Sequence, residues 1–123
     1  MKVKLLVAAI CTSLISINDI AFADPIWVDL GNAKDGGKVL IDDQSIVKSS
    51  TLVKFDMRLV DAKETISSRV IAECNTLAFQ YQKQAINDIP SPPPDGIEFP
   101  VQQAGDNSVL GTAIYYACAA YRP

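Results

Sequence analysis

No histidine occurs in these 123 residues, so the side chain best suited to proton transfer near neutral pH is missing. Neither a Ser-His nor a Cys-His nucleophile can be assembled, and a zinc site lacks its usual ligands. Carboxylate pairs are the remaining route to acid–base chemistry, through Asp42 with Asp43 or Asp56 with Glu73. Neighbouring strand residues point to opposite faces, so Asp42 and Asp43 converge only if the chain bends there. Asp56 and Glu73 are expected to pair with Lys54, Arg58 or Arg69 on a solvated face. Asp29, Asn32, Asp35 and Gly36 invite a calcium reading, but their spacing misses the alternate-residue ligand pattern and no distal glutamate follows in register. No catalytic residue, metal or cofactor is therefore assigned. Trp27, Tyr115 and Tyr116 are the contact candidates, against the ordinary fate of aromatics as core filling. Gln80, Gln82 and Gln84 read as a polar row facing solvent.

Those residues must be placed by whatever folds after export. Lys2 and Lys4 precede an uncharged, mostly apolar run from Leu5 to Ile17, and Ala21-Phe22-Ala23 has the small-residue pattern of a cleavage site. Residues 1–23 are read as a signal peptide, with the mature chain starting at Asp24. A lipid anchor on Cys11 is rejected, because Cys11 lies inside the apolar run and Ile10 is too large for the position before an acylated cysteine. Removing 23 of 123 residues leaves 100, one domain's worth. Losing Lys2, Lys4 and Asp19 turns 11 basic and 14 acidic side chains into 9 and 13, a net charge of −4. The basic residues are scattered, which gives no electrostatic footprint for nucleic acid. No second long apolar run appears, so no transmembrane segment is expected after cleavage. Cys74 and Cys118 remain, and in an exported chain they are expected to form a disulfide. Closing a loop of about 45 residues would stabilise the fold by roughly 4 kcal/mol in the chain-entropy model.

Alternation of apolar and polar residues predicts strands at Ile26–Leu30, Lys38–Asp42, Thr51–Leu59, Ser67–Cys74 and Leu77–Gln82. Gly31–Gly37 is turn chemistry closing a first hairpin, and Asp43–Ile46 is a helical turn or loop. Three consecutive alternating strands indicate an antiparallel meander with one wet face. Near the C-terminus, Asp106, Asn107 and Ser108 offer successive N-caps to a helix over Ser108–Tyr121, about 21 Å long. Its Leu110, Ile114, Ala117, Cys118 and Tyr121 form one stripe, expected to lie on the apolar face of the sheet. Between sheet and helix runs Ile89-Pro90-Ser91-Pro92-Pro93-Pro94, read as an extended crossover and not as sheet, because proline gives no amide to a ladder. Ile97–Val101 is a possible short edge strand limited by Pro100. The uncharged far side of the helix, with Thr112, Tyr115, Tyr116 and Ala119, needs a cover. The Ile89–Val101 crossover is expected to supply it, with a partner or a second copy as the alternative.

Several of these pieces occur in a familiar order. Trp27-Val28, the Gly36-Gly37 turn, Leu40-Ile41-Asp42 with Ser45-Ile46, the strand Val53–Leu59, Ser67-Ser68 leading to Cys74, and Val109-Leu110-Gly111 running into Cys118 together resemble the surface-adhesin protein E family. Val39-Leu40 stands where that family commonly shows tyrosines, and the proline-rich crossover is unlike its usual connection. The resemblance implies an α+β fold, an antiparallel β-sheet meander with the C-terminal helix on its concave face, tethered by the disulfide. It also implies a protein of the bacterial periplasm or cell surface, since the adhesin that names the family binds host matrix proteins and haem. No binding residue carries over. The expected function is a non-enzymatic, adhesin-like binding domain with a protein partner or host matrix protein, homodimerisation being open. A periplasmic inhibitor of a hydrolase such as lysozyme is the alternative, and a carboxylate enzyme is a distant third.

Overall fold

The computed structural model describes residues 24–33 and 36–120. The expected leader over 1–23, Lys34 and Asp35 of the first turn, and Tyr121 of the helical stripe lie outside the described residues. Strands β1 (Trp27–Asn32) and β2 (Lys38–Asp42) form the first hairpin, and a 3-10 turn (Asp43–Ser45) follows. Then come β3 (Val47–Ser49), β4 (Leu52–Val60), β5 (Thr65–Glu73), β6 (Ala78–Ile86), β7 (Ile89–Ser91), β8 (Val101–Gln103) and helix α1 (Val109–Ala119). All pairings are antiparallel, in the order β1-β2-β4-β5-β6-β7, with β3 beside β4 and β8 beside β6.

One face of this sheet is the core. Val39 and Ile41 of β2, Val53, Phe55 and Met57 of β4, and Val70 and Ala72 of β5 all face the helix and are buried. The strands put them there by simple alternation: Phe55 sits opposite Val70, Val53 opposite Ala72, and Ile41 opposite Met57. Phe55, Ile41, Ile114, Val53 and Val70 are the largest fully buried side chains. At roughly 1.5–3 kcal/mol each, their burial together outweighs the contribution of one disulfide.

The helix starts as its cap sequence demands: Ser108 Oγ accepts from Gly111 N at 2.9 Å. Its buried face, however, is Gly111, Ala113, Ile114 and Ala117, and Leu110 is only half-buried. Gly111 accounts for the extension of the buried face beyond the predicted stripe. A Cβ there would run into the carbonyl oxygen of Gly105, well inside contact distance, so the incoming loop packs directly on the glycine. Small residues then let the helix lie close to β4, while Cys118 reaches Cys74 to form the expected disulfide, with Cα atoms 6.1 Å apart.

Two expectations about the crossover are overturned. Ile89–Ser91 does join the sheet: Asn87 and Asp88 both take positive φ, at 51° and 67°, and turn the chain back onto β6 as a tight hairpin. Pro90 is tolerated because β7 is an edge strand, whose outward-facing backbone needs no ladder partner. The later edge strand is Val101–Gln103, beyond Pro100, and Ile97–Pro100 is irregular. Nor does the crossover cover the far side of the helix. It buries Phe99 instead, whose ring meets Tyr81 edge-on at 5.9 Å, with Tyr81 in turn against Phe79 at 5.4 Å. Thr112, Tyr115 and Ala119 stay exposed.

Candidate functional site

The contact candidates named from sequence do not come together. Tyr115 is half-exposed on the helix, and its hydroxyl donates to Asp106 Oδ1 at 3.1 Å, a bond that raises its pKa. Tyr116, one residue on, is partly buried and donates to Asp43 Oδ1 at 3.0 Å, so it pins the helix to the 3-10 turn. Trp27 is on the opposite face of the sheet. It pairs with Asp42, whose side-chain parity is opposite to that of core Ile41.

On that outer face two rows of side chains cross the strands. The first is Leu40 on β2, Arg58 on β4, Ser67 on β5, Ala85 on β6 and Pro90 on β7, each opposite the next. The second contains the pair Trp27 and Asp42, then Asp56 opposite Arg69 and Arg69 opposite Lys83. Between the rows lies a groove of about 450 Å³, whose rim includes Pro25, Trp27, Asp88 and Pro90. That is within the range of small-ligand sites.

The carboxylates considered for catalysis are mostly committed to structure. Asp42 Oδ1 accepts from Ile26 N and Gln44 N, both at 3.0 Å, fastening the start of β1 to the 3-10 turn. Asp43 faces the helix, so the two do not converge. Asp56 holds Arg69 with two bonds, Nε to Oδ1 at 2.8 Å and Nη2 to Oδ2 at 3.2 Å. That partnership raises the Arg69 pKa, as a charge-assisted fork should. Glu73 pairs with no cation; it accepts from Asn75 N, Thr76 N and the Thr76 hydroxyl and builds the β5–β6 turn. Asp29 likewise serves its hairpin, through Gly31 N at 2.8 Å and an exposed ion pair to Lys38. Among the described residues no cluster of three or more His, Cys, Asp or Glu side chains is placed to hold a metal ion.

Arg58 is different. Its guanidinium carbon lies 4.3 Å from the centroid of the Trp27 ring, a cation–π stack. Its Nε is buried and has no hydrogen-bond partner among the described residues. Leaving such a donor unmet costs about 1–3 kcal/mol, more for a charged group, against which the stack on Trp27 returns about 0.5–2 kcal/mol.

The glutamine row expected on β6 is broken by a bulge. Pairing passes from Arg69 with Lys83 to Val70 with Tyr81, so Gln82 is an extra residue. Beyond it the parity of the strand reverses. Gln84 turns to the core side and donates to the buried Ser68 Oγ at 3.1 Å, whereas Gln80 donates to Phe99 O at 2.7 Å. The same reversal brings Lys83 onto the groove side, directly opposite Arg69. Like charges facing each other across strands are destabilising. Alternation in the sequence predicts none of this, since a bulge without glycine leaves no local signature; Lys83 was missed for that reason. Arg58 was visible as a wet-face residue, but its contact with Trp27 depends on a pairing between distant strands.

A larger depression of about 710 Å³ lies between the helix N-terminus and the first hairpin, lined by Leu30, Val39, Leu59 and Thr112 among others. Ser108, which also lines it, is occupied as the cap, accepting from Gly111 N and donating to Gly105 O. The groove around Arg58 is therefore the better site. In comparisons with known proteins, no family model, no curated protein and no solved structure matches this chain.

Proposed function

We propose that the mature chain is an exported, non-enzymatic, adhesin-like binding domain of a bacterial envelope or surface, and that it meets its partner through the outer face of the sheet. The observation that carries this reading is Arg58, stacked on Trp27 at a groove, with a buried Nε that no described residue satisfies. The disulfide between Cys74 and Cys118 is compatible with an oxidising compartment, and no described helix is long and apolar enough to cross a membrane. Hydrolase inhibition has no comparable observation behind it and enters as an outcome of the test.

Cell fractionation with surface protease shaving places the protein, and immobilised host matrix extract and lysozyme then serve as alternative baits. Retention of the wild-type chain on matrix, lost in Arg58→Gln, is the expected result. Stoichiometric inhibition of lysozyme would transfer the protein to the inhibitor class. Equal retention of wild type and Arg58→Gln would remove the outer face from the reading.

A further inference from the structure

We infer that the Arg58–Trp27 groove takes a small organic monocarboxylate with an apolar or aromatic body, bound edge-on by the Arg58 guanidinium and flanked by Lys83. The inference rests on the outer face being the contact surface, and it adds the chemical class of what is recognised there.

Three cations and three carboxylates line the groove: Arg58, Arg69 and Lys83 against Asp42, Asp56 and Asp88. Arg69 is held by Asp56 through both carboxylate oxygens, and Asp42 is turned into the chain by Ile26 N and Gln44 N. Arg58 has no carboxylate partner in a hydrogen bond or ion pair among the described residues; its one assigned contact is the face of Trp27. Stacking occupies the flat side of the guanidinium and Nε is buried, which leaves the Nη1 and Nη2 end for a planar, two-oxygen acceptor. Carboxylate and phosphate both offer that edge a fork.

Charge decides between them. The lining sums to zero, so one negative charge can be absorbed beside Arg58 and Lys83, whereas a phosphate dianion would face three carboxylates across a groove of about 450 Å³. The rest of the lining gives the body of the ligand an apolar seat, with Pro25, Trp27, Ala85 and Pro90 around the cations. Finally, the bulge at Gln82 is what places Lys83 on the groove side, opposite Arg69.

Trp27 is the single tryptophan of the chain, so its fluorescence reports on this groove alone. The probes are N-acetyl-L-phenylalanine, its amide, and inorganic phosphate, titrated into the oxidised mature chain. A saturable change with the acid is expected, with the amide weaker by about tenfold or more and phosphate weaker than the acid. Arg58→Gln should weaken the acid by about tenfold or more, and Lys83→Gln by roughly three- to fivefold. Lys38→Gln, outside the groove, should leave it unchanged. Should Arg58→Gln fail to fold, Lys83→Gln on an exposed side chain decides the matter. Equal binding of acid and amide, tighter binding of phosphate, or indifference to Lys83→Gln each overturns the ligand class. Matrix retention that depends on Arg58 without any response to carboxylates would overturn this inference and leave the binding reading standing. Carboxylate binding without Arg58-dependent retention would do the reverse.

Discussion

The two faces of the sheet use the same strands with opposite side-chain parity. On the helix side, Phe55, Val70 and Ile41 meet apolar partners, Ser68 meets Gln84, and the helix is fixed at both ends by a cap and a disulfide. On the outer side, Arg58 keeps a buried Nε unmet and Lys83 stands opposite Arg69. Further along, Val47, Leu52 and Val101 are exposed on that same face. One face obeys the rules for a stable single domain, and the other departs from them at identifiable residues. Such departures concentrate where a protein does something besides fold. Variants on the two faces should therefore separate, with core-side changes moving stability and outer changes moving binding.

The largest effect is expected from Cys118→Ser, which releases the helix from β5. Loss of a native bridge from a small secreted domain costs about 2–5 kcal/mol, read as a lower denaturant midpoint. An unchanged midpoint would show that packing alone holds the helix. Next comes Gly111→Ala. The new methyl group meets the Gly105 carbonyl, a backbone atom that cannot swing aside, and overpacking of this kind costs about 1–3 kcal/mol. In an ordinary solvent-facing helix the same change would stabilise, so the sign alone tests the close approach. Neither substitution should alter the Trp27 environment in the fraction that remains folded.

The core-side face was largely legible in the sequence because alternation and helical spacing are local. Val53, Phe55 and Met57 announced their side of β4, Ser108 announced the cap, and the two cysteines outside the expected leader had a single pairing. The buried face of the helix also takes in Gly111 and Ala113, beyond the predicted stripe, because Gly111 matters for what it lacks and apolar periodicity ignores glycine. β7 was missed because Pro90 was read as excluding a strand, although an edge strand tolerates proline. Of the contact candidates named from sequence, Trp27 is the one that lines the groove. The meeting of Arg58 with Arg69 and Lys83, which stand in neighbouring rows, depends on strand register and on a bulge with no signature in sequence.

A smaller effect sharpens the comparison from the outer side. Asp56→Asn removes the counter-charge from Arg69, and the two side chains are 30% and 39% exposed. Solvent screening limits the stability loss to about 0–1 kcal/mol. Binding should move further and in the opposite direction, since Arg69 and Lys83 then stand together with less negative charge beside them. N-acetyl-L-phenylalanine is expected to bind roughly two- to fivefold tighter to Asp56→Asn than to wild type, with a steeper salt dependence. A large drop in melting temperature with no gain in affinity would reverse the assignment and make this pair part of the fold.

The smallest effect belongs to neither face but to the turns between strands. Asp61 accepts from Glu64 N and Lys63 N, and Asp95 from Ile97 N and Glu98 N; these bonds lower both pKa values. Glu73 is lowered by the Thr51 hydroxyl and then by Thr76 N. Folding therefore favours the ionised form of all three. Their contribution is complete above the ordinary carboxylate range and is lost as pH falls through that range towards the depressed folded values. Melting temperature should consequently be flat in these groups from pH 7 to about 5 and decline below it. Asp61→Asn with Asp95→Asn keeps an acceptor oxygen at each turn but removes the titration, so the double variant should start slightly lower and fall less steeply. Because all three carboxylates are exposed, the difference between the curves should be modest and shrink in high salt. Parallel curves for wild type and double variant would place the acid sensitivity outside these turns.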